Sequence, residues 1–120
     1  MSRGPDELGR LLKVLSVGTR VRIVQLLKAR ALCVNALAAR LDVTQGAVSQ
    51  HLRILRDAGL VIGEKRGYFV HYRLNEKTLA AWREAIGELL APAWGAGKKT
   101  EGAERCAAAT KRKAAGNRRT

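Results

Sequence analysis

Val43-Thr44-Gln45-Gly46-Ala47-Val48-Ser49-Gln50-His51-Leu52-Arg53-Ile54-Leu55-Arg56-Asp57-Ala58-Gly59 is the stretch that decides how this chain folds. Thr44 is a helix N-cap, because its side-chain oxygen can accept from an orphan backbone N–H of the first turn. Gly59 is the matching C-cap, since glycine takes the left-handed conformation at little cost. The helix between them, running to Ala58, has two unlike sides. Ala47, Val48, His51, Leu52, Ile54, Leu55 and Ala58 form a broad apolar side; Gln45, Gly46, Ser49, Gln50 and Arg53 gather on the other.

Working outward, Asp42-Val43-Thr44 reads as a tight turn, preceded by a short helix over Val34–Leu41 that packs Leu37 and Leu41. Downstream, Leu60–Lys65 and Tyr68–Leu74 read as two strands joined around Arg66-Gly67. Asn75 caps a last helix, about Glu76–Leu90, with Leu79, Trp82, Ile86 and Leu89 along one face. Upstream, Asp6 to about Val17 carries Leu8, Leu11, Leu12 and Leu15 on one face. Gly18-Thr19 interrupts that pattern, and Thr19 is expected to cap a second helix that buries Ile23, Val24, Leu26 and Leu27. The order is four helices, a β-hairpin and a helix: a mainly α chain with a small β-hairpin, of the winged helix-turn-helix type.

That architecture gives the polar side of the Gln45–Ala58 helix a chemical meaning. Amide side chains pair with adenine edges, Arg with guanine, and hydroxyls with phosphate, so Gln45, Ser49, Gln50 and Arg53 suit a DNA major groove. Thr44 and Gly46 at the helix start suit a closely approaching phosphate, and Arg56 adds an outward cation. Gln, Ser and Arg are also common on any solvated helix face. Placement decides between the readings: a turn before the helix, and after it a hairpin with Glu64-Lys65-Arg66-Gly67-Tyr68 at its tip. Lys65 and Arg66 are expected to grip phosphates or a minor groove, with Gly67 making the turn and Tyr68 stiffening the wing base.

The charge agrees. The 120 residues carry a formal net charge of +13. Residues 1–90 hold 15 Lys/Arg against 8 Asp/Glu, and residues 91–120 hold 8 against 2. A field of that sign draws polyanions, double-stranded DNA first. Residues 1–90 are expected to form the ordered DNA-binding and dimerisation domain. After Leu90, Pro92, Gly95 and Gly97 break the pattern, and residues 91–120 read as a flexible basic tail with little apolar bulk. Met1–Arg10 is polar and charges interrupt every apolar run, so the expected setting is the reducing cytoplasm, on the nucleoid and not the membrane.

The runs Leu32-Cys33-Val34-Asn35-Ala36-Leu37-Ala38 and Val43–Val61, with Thr19–Val24 and Arg66–Tyr72, resemble the ArsR/SmtB family of metal- and metalloid-responsive bacterial repressors. The resemblance covers about residues 8–90. It implies a homodimer built on the first and last helices, bound to an inverted-repeat operator and released by an inducer. The residues point to a dimer independently: two terminal helices each carry an apolar stripe that one small chain can hardly cover. Leu8, Leu11, Leu15, Leu79, Trp82 and Ile86 are the expected interface; the alternative is that both stripes complete a single core.

Arsenic-sensing members of that family carry Cys-Val-Cys near the start of the third helix. Here the sequence is Cys33-Val34-Asn35, and the other cysteine, Cys106, lies in the tail. Thiolates select thiophilic ions such as trivalent arsenic or antimony. The 16 residues from Leu90 to Cys106 span on the order of 20–25 Å as flexible coil, enough to bring the second sulfur to the first. An arsenite or antimonite bridge between Cys33 and Cys106 is one inducer chemistry; a disulfide or polysulfide bridge between them is the other. No obligatory cofactor is implied. Both cysteines also have ordinary readings, Cys33 as a small buried residue and Cys106 as incidental.

A zinc or nickel site has little to build on. The last helix holds no His, and His51 and His71 have the positions of core or strand residues. Nothing resembles an assembled nucleophile, so an enzyme is not expected. A nonspecific architectural DNA binder, favoured by the tail, is the alternative from another class.

Overall fold

The structure is a computed structural model that describes residues 4–92. Helix α1 (Pro5–Val14) opens with proline at its first position, where a missing N–H costs nothing, and carries Asp6 and Glu7 against the positive end of its dipole. It stops three residues before the expected Val17. The Ser16 hydroxyl donates to the Lys13 carbonyl (2.7 Å) and the Ser16 N–H turns back to the same oxygen (3.1 Å), which closes the helix early. Helix α2 (Gly18–Leu27) begins before Thr19, because the Val17 carbonyl already accepts from the N–H groups of Arg20 and Val21. Thr19 therefore lies inside the first turn and caps nothing; the N-cap is Val17, without a side-chain bond.

Next comes an element the sequence reading lacks. Leu32–Cys33 forms a two-residue strand, β1, running directly into α3 (Val34–Leu41). Helix α4 (Gln45–Asp57) follows the turn, with Ala58 as its C-cap and Gly59 at φ 84° just beyond. Strands β2 (Val61–Arg66) and β3 (Phe69–Leu74) each start a residue later than expected, and α5 (Glu76–Leu90) begins where Asn75 predicts. The Asn75 side-chain oxygen accepts from the Thr78 N–H at 3.5 Å. The sheet is antiparallel in the order β1-β3-β2, so β3 is central. Its register pairs Leu32 with Tyr72, Cys33 with His71 and Val61 with Leu74.

The core joins every helix to this sheet. Ile23, Leu37, Val48, Leu52, Leu55, Leu60 and Val61 are almost wholly buried, and no polar side chain is fully buried among the described residues. Leu11 from α1 and Trp82 from α5 belong to the same cluster, at 8% and 4% exposure. Both were expected at a dimer interface; within one chain, the inner stripes of the two terminal helices already contribute to the core. Among the described residues, no helix is long and apolar enough to cross a membrane.

Candidate nucleic-acid interface

Local devices set the pose of α4. Asp42 ends α3 in the left-handed region (φ 57°, ψ 46°), which reverses the chain within three residues. Thr44 then takes extended backbone, and its Oγ1 accepts from the Ala47 N–H at 3.1 Å, as the sequence predicts. Val48, Leu52 and Leu55 point inward at 1% exposure or less, anchoring one side of the helix. Thr44, Gln45, Gly46, Ser49, Gln50, Arg53 and Arg56 are all exposed. The side chains of Gln45, Ser49, Gln50 and Arg53 have no hydrogen bond or ion pair with other described residues, so their donors and acceptors are available to an incoming ligand. Arg56 lies 3.9 Å from Asp57 but stays half-exposed, a contact worth little in water.

The hairpin stands beyond the end of this helix. A two-residue turn, Gly67-Tyr68, closes it, with Gly67 at φ 65° and Arg66 opposite Phe69. Positive φ at the first central position is what a type II′ hairpin requires, and glycine supplies it without strain. Tyr68 is 98% exposed at the tip. It cannot stiffen the wing base, because the turn places it beyond the last strand pair, where nothing packs on it. Lys65 is exposed and unpaired among the described residues; Arg66 is exposed and lies 3.6 Å from a Glu64 carboxylate oxygen.

Glu64 is a residue that sequence reasoning passed over. Arg73 Nε donates to its Oε2 at 3.1 Å. That hydrogen bond and the Arg73 charge, with a smaller part from Arg66, hold the carboxyl below its usual range. The wing therefore keeps a fixed anion between two cations, leaving Lys65 with the least compensated charge. The signal was the turn position: with Gly67-Tyr68 as the turn, and not the expected Arg66-Gly67, Glu64 falls opposite His71 and diagonal to Arg73.

A second unforeseen contact lies behind α4. His51, expected on the core side, is half-buried and accepts at Nδ1 from Arg20 Nε (3.2 Å). A second Arg20 nitrogen donates to the Val14 carbonyl (3.0 Å). Burial first, and the Arg20 charge second, keep the His51 imidazole below its ordinary pKa.

Cys33 is a free, half-buried thiol at the N-cap of α3, opposite His71 in the sheet. The His71 Nδ1 atom is buried without a hydrogen-bond partner among the described residues. Cys106, with the basic tail, falls outside the described residues. Among the described residues no group of three or more His, Cys, Asp and Glu is placed to hold a metal ion. Of the remaining expected interface residues, Leu8, Leu15 and Leu79 pack partly against the core. Ile86 is half-buried and lines a cleft of about 240 Å³ with Leu15, Val24, Leu79 and Trp82. Leu12, Leu89 and Leu90 are the more exposed apolar residues of α1 and α5.

Residues 18–62 match the model of the bacterial regulatory protein arsR family, a span from the start of α2 into β2. The chain is 45% identical over 75 residues to the HTH-type transcriptional repressor SmtB of Mycobacterium tuberculosis, covering 62% of this chain and 56% of that protein. It is 42% identical over 78 residues to the arsenical resistance operon repressor of Escherichia coli, covering 64% and 66% respectively. The chain thus spans under two thirds of the length of these two relatives. A crystal structure of a possible transcriptional regulator for arsenical resistance superposes with a TM-score of 0.64 at 42% identity, over 68% of this chain and 84% of the other. Matching sequence, element order and winged architecture together show that the chain belongs to the arsR family of bacterial regulatory proteins.

Proposed function

We propose that this chain is a sequence-specific, DNA-binding transcriptional repressor that works in the cytoplasm. In this reading α4 enters the major groove, where Gln45, Ser49, Gln50 and Arg53 read base edges. Thr44 and Gly46 meet phosphate at the helix start, and Arg56, Lys65 and Arg66 hold the backbone on either side. The observation that carries it is the division of α4: six exposed residues of the reading set on one side, and a fully buried apolar anchor on the other. Solvation alone would explain the polar residues, but not their position between a capped tight turn and a basic hairpin. An inverted-repeat operator bound by a homodimer completes the picture, with two copies of α4 about one DNA turn apart, roughly 34–36 Å.

Competition binding in about 150 mM salt tests this against a nonspecific architectural role. A repressor retains a preference of at least ~10³-fold for duplexes selected from random DNA over bulk DNA. Equal affinity for both overturns the reading.

The inducer chemistry rests on Cys33, a free and partly accessible thiol at the helix that buttresses α4. The named role of the Escherichia coli relative in arsenical resistance favours trivalent arsenic or antimony as the ligand class. Cys33 alone cannot hold such an ion tightly, so Cys106 or a sulfur from a second subunit joins it. A disulfide or polysulfide bridge between Cys33 and Cys106 is the other chemistry the same two thiols support. Arsenite and a persulfide donor, added separately to the DNA-bound protein, distinguish them. Cys33→Ser and Cys106→Ser should each abolish release; an unchanged response in the double variant removes the thiols from the mechanism.

A further inference from the structure

We propose that Arg20 is the positioning residue of the DNA-reading helix, its guanidinium tying the end of α1 to His51 in the middle of α4 so that the helix is held at one angle. The proposal rests on the reading of α4 given above. Arg20 sits near the start of α2 and is only partly exposed, with two of its nitrogens committed inward: one to the Val14 carbonyl at 3.0 Å, one to His51 Nδ1 at 3.2 Å. A guanidinium is planar, so two hydrogen bonds from it fix both partners relative to each other; a lysine ammonium is a single point and cannot. His51 follows Gln50 directly in the chain, and a shift of the His51 backbone is a shift of Gln50. Three helices are joined through one side chain.

The tie also has a defined protonation requirement. To accept from Arg20, Nδ1 must carry its lone pair, so His51 is neutral with its hydrogen on Nε2. A proton on Nδ1 removes the acceptor and sets two cations against each other. The adjoining cleft, about 440 Å³, is lined by Arg10 and Lys13 of α1, Arg20 of α2, and the apolar Val14 and Ile54. Glu7 and Asp57 line a neighbouring cleft between α1 and α4 that shares Arg10, Val14 and Ile54 with this one. After burial, the Arg20 charge lowers the His51 pKa; the other charged groups on elements packed against α4 include Arg40 of α3 and Glu64, Lys65 and Arg66 of β2.

The test uses the full chain and a duplex selected from random DNA by the wild-type protein at pH 7.5, with fluorescence anisotropy at pH 7.5 and 5.5. Circular dichroism accompanies each variant as a check of folding. At pH 7.5, Arg20→Ala and Arg20→Lys should both lose about tenfold or more on the selected duplex and less than about twofold on random DNA. Full binding by Arg20→Lys would mean that charge alone matters and overturns the proposal. Wild type should lose selected-duplex affinity on going to pH 5.5, while His51→Gln, which retains an acceptor but does not titrate, should bind with little pH dependence. A wild-type pH profile in His51→Gln, or a flat one in His71→Gln instead, also overturns it. Gln50→Ala and Arg53→Ala serve as the arm for the reading itself. If these bind like wild type, α4 does not read DNA; if they fail while the Arg20 variants bind normally, only the positioning role falls.

Discussion

Gly46 occupies the first turn of α4 with nothing within 4 Å of where a Cβ would stand. Packing does not require the glycine, and its backbone entropy makes it a cost to the helix. Gly46→Ala should stabilise the fold by roughly 0.5 kcal/mol in urea denaturation. It should also weaken DNA binding, if a phosphate comes against that backbone; a variant both more stable and equally tight would remove Gly46 from the interface. Gly59 is the opposite case. At φ 84° a side chain is strained whatever the space, and Gly59→Ala should cost about 1–2 kcal/mol. His51 supplies a pH dependence of stability. Its folded-state pKa lies below the ordinary 6.5, so the unfolded chain takes up the proton more readily. Stability from this group is present above pH 6.5 and is lost as pH falls through the folded pKa. Urea midpoints should decline from pH 7.5 to 5.5 in wild type and less steeply in His51→Gln.

Element by element, α4 and the wing are expected to contribute differently to binding. Gln50→Ala and Arg53→Ala should each lose about 1–3 kcal/mol on the selected duplex and relax sequence preference. Lys65→Ala should weaken binding to all duplexes alike and lower the salt slope by about one. Arg73→Ala leaves the Glu64 carboxylate to Arg66 alone and should mimic the loss of a wing cation. The elements also show how far patterns reach. Helix α3 and the reading helix were legible because caps, turn and period agree within a few residues of each other: Asp42, Thr44 and Gly59 mark the ends, and Val48, Leu52 and Leu55 the inner face. Strand β1 was not legible, since two residues have no period. Leu32 and Cys33 become a strand only because β3 offers an unpaired edge.

For the whole molecule the question is how the exposed residues of α1 and α5 are used. Leu11 and Trp82 are buried within one chain, so a homodimer is expected to draw mainly on the outer residues Leu12, Leu89 and Leu90 and the partly covered Leu8, Leu15, Leu79 and Ile86. Sedimentation equilibrium should give a dimer at micromolar concentration, and Leu12→Glu or Leu89→Glu should shift it toward monomer with the monomer's helix content retained. A wild-type chain that sediments as a monomer while still discriminating selected from random duplexes would exclude the homodimeric reading.

Sequence alone determined the order of the helices and the hairpin, the helix-turn-helix boundaries and the amide-and-guanidinium side of α4, because all of these are written in contacts between near neighbours along the chain. Tertiary structure decided that Tyr68 stands free, that Glu64 is held by Arg73, and that Leu11 and Trp82 are core. It also decided that Arg20 reaches both Val14 and His51. Each of these depends on how separate segments pack, and a helical or strand period records which side of an element is apolar without recording what that side meets.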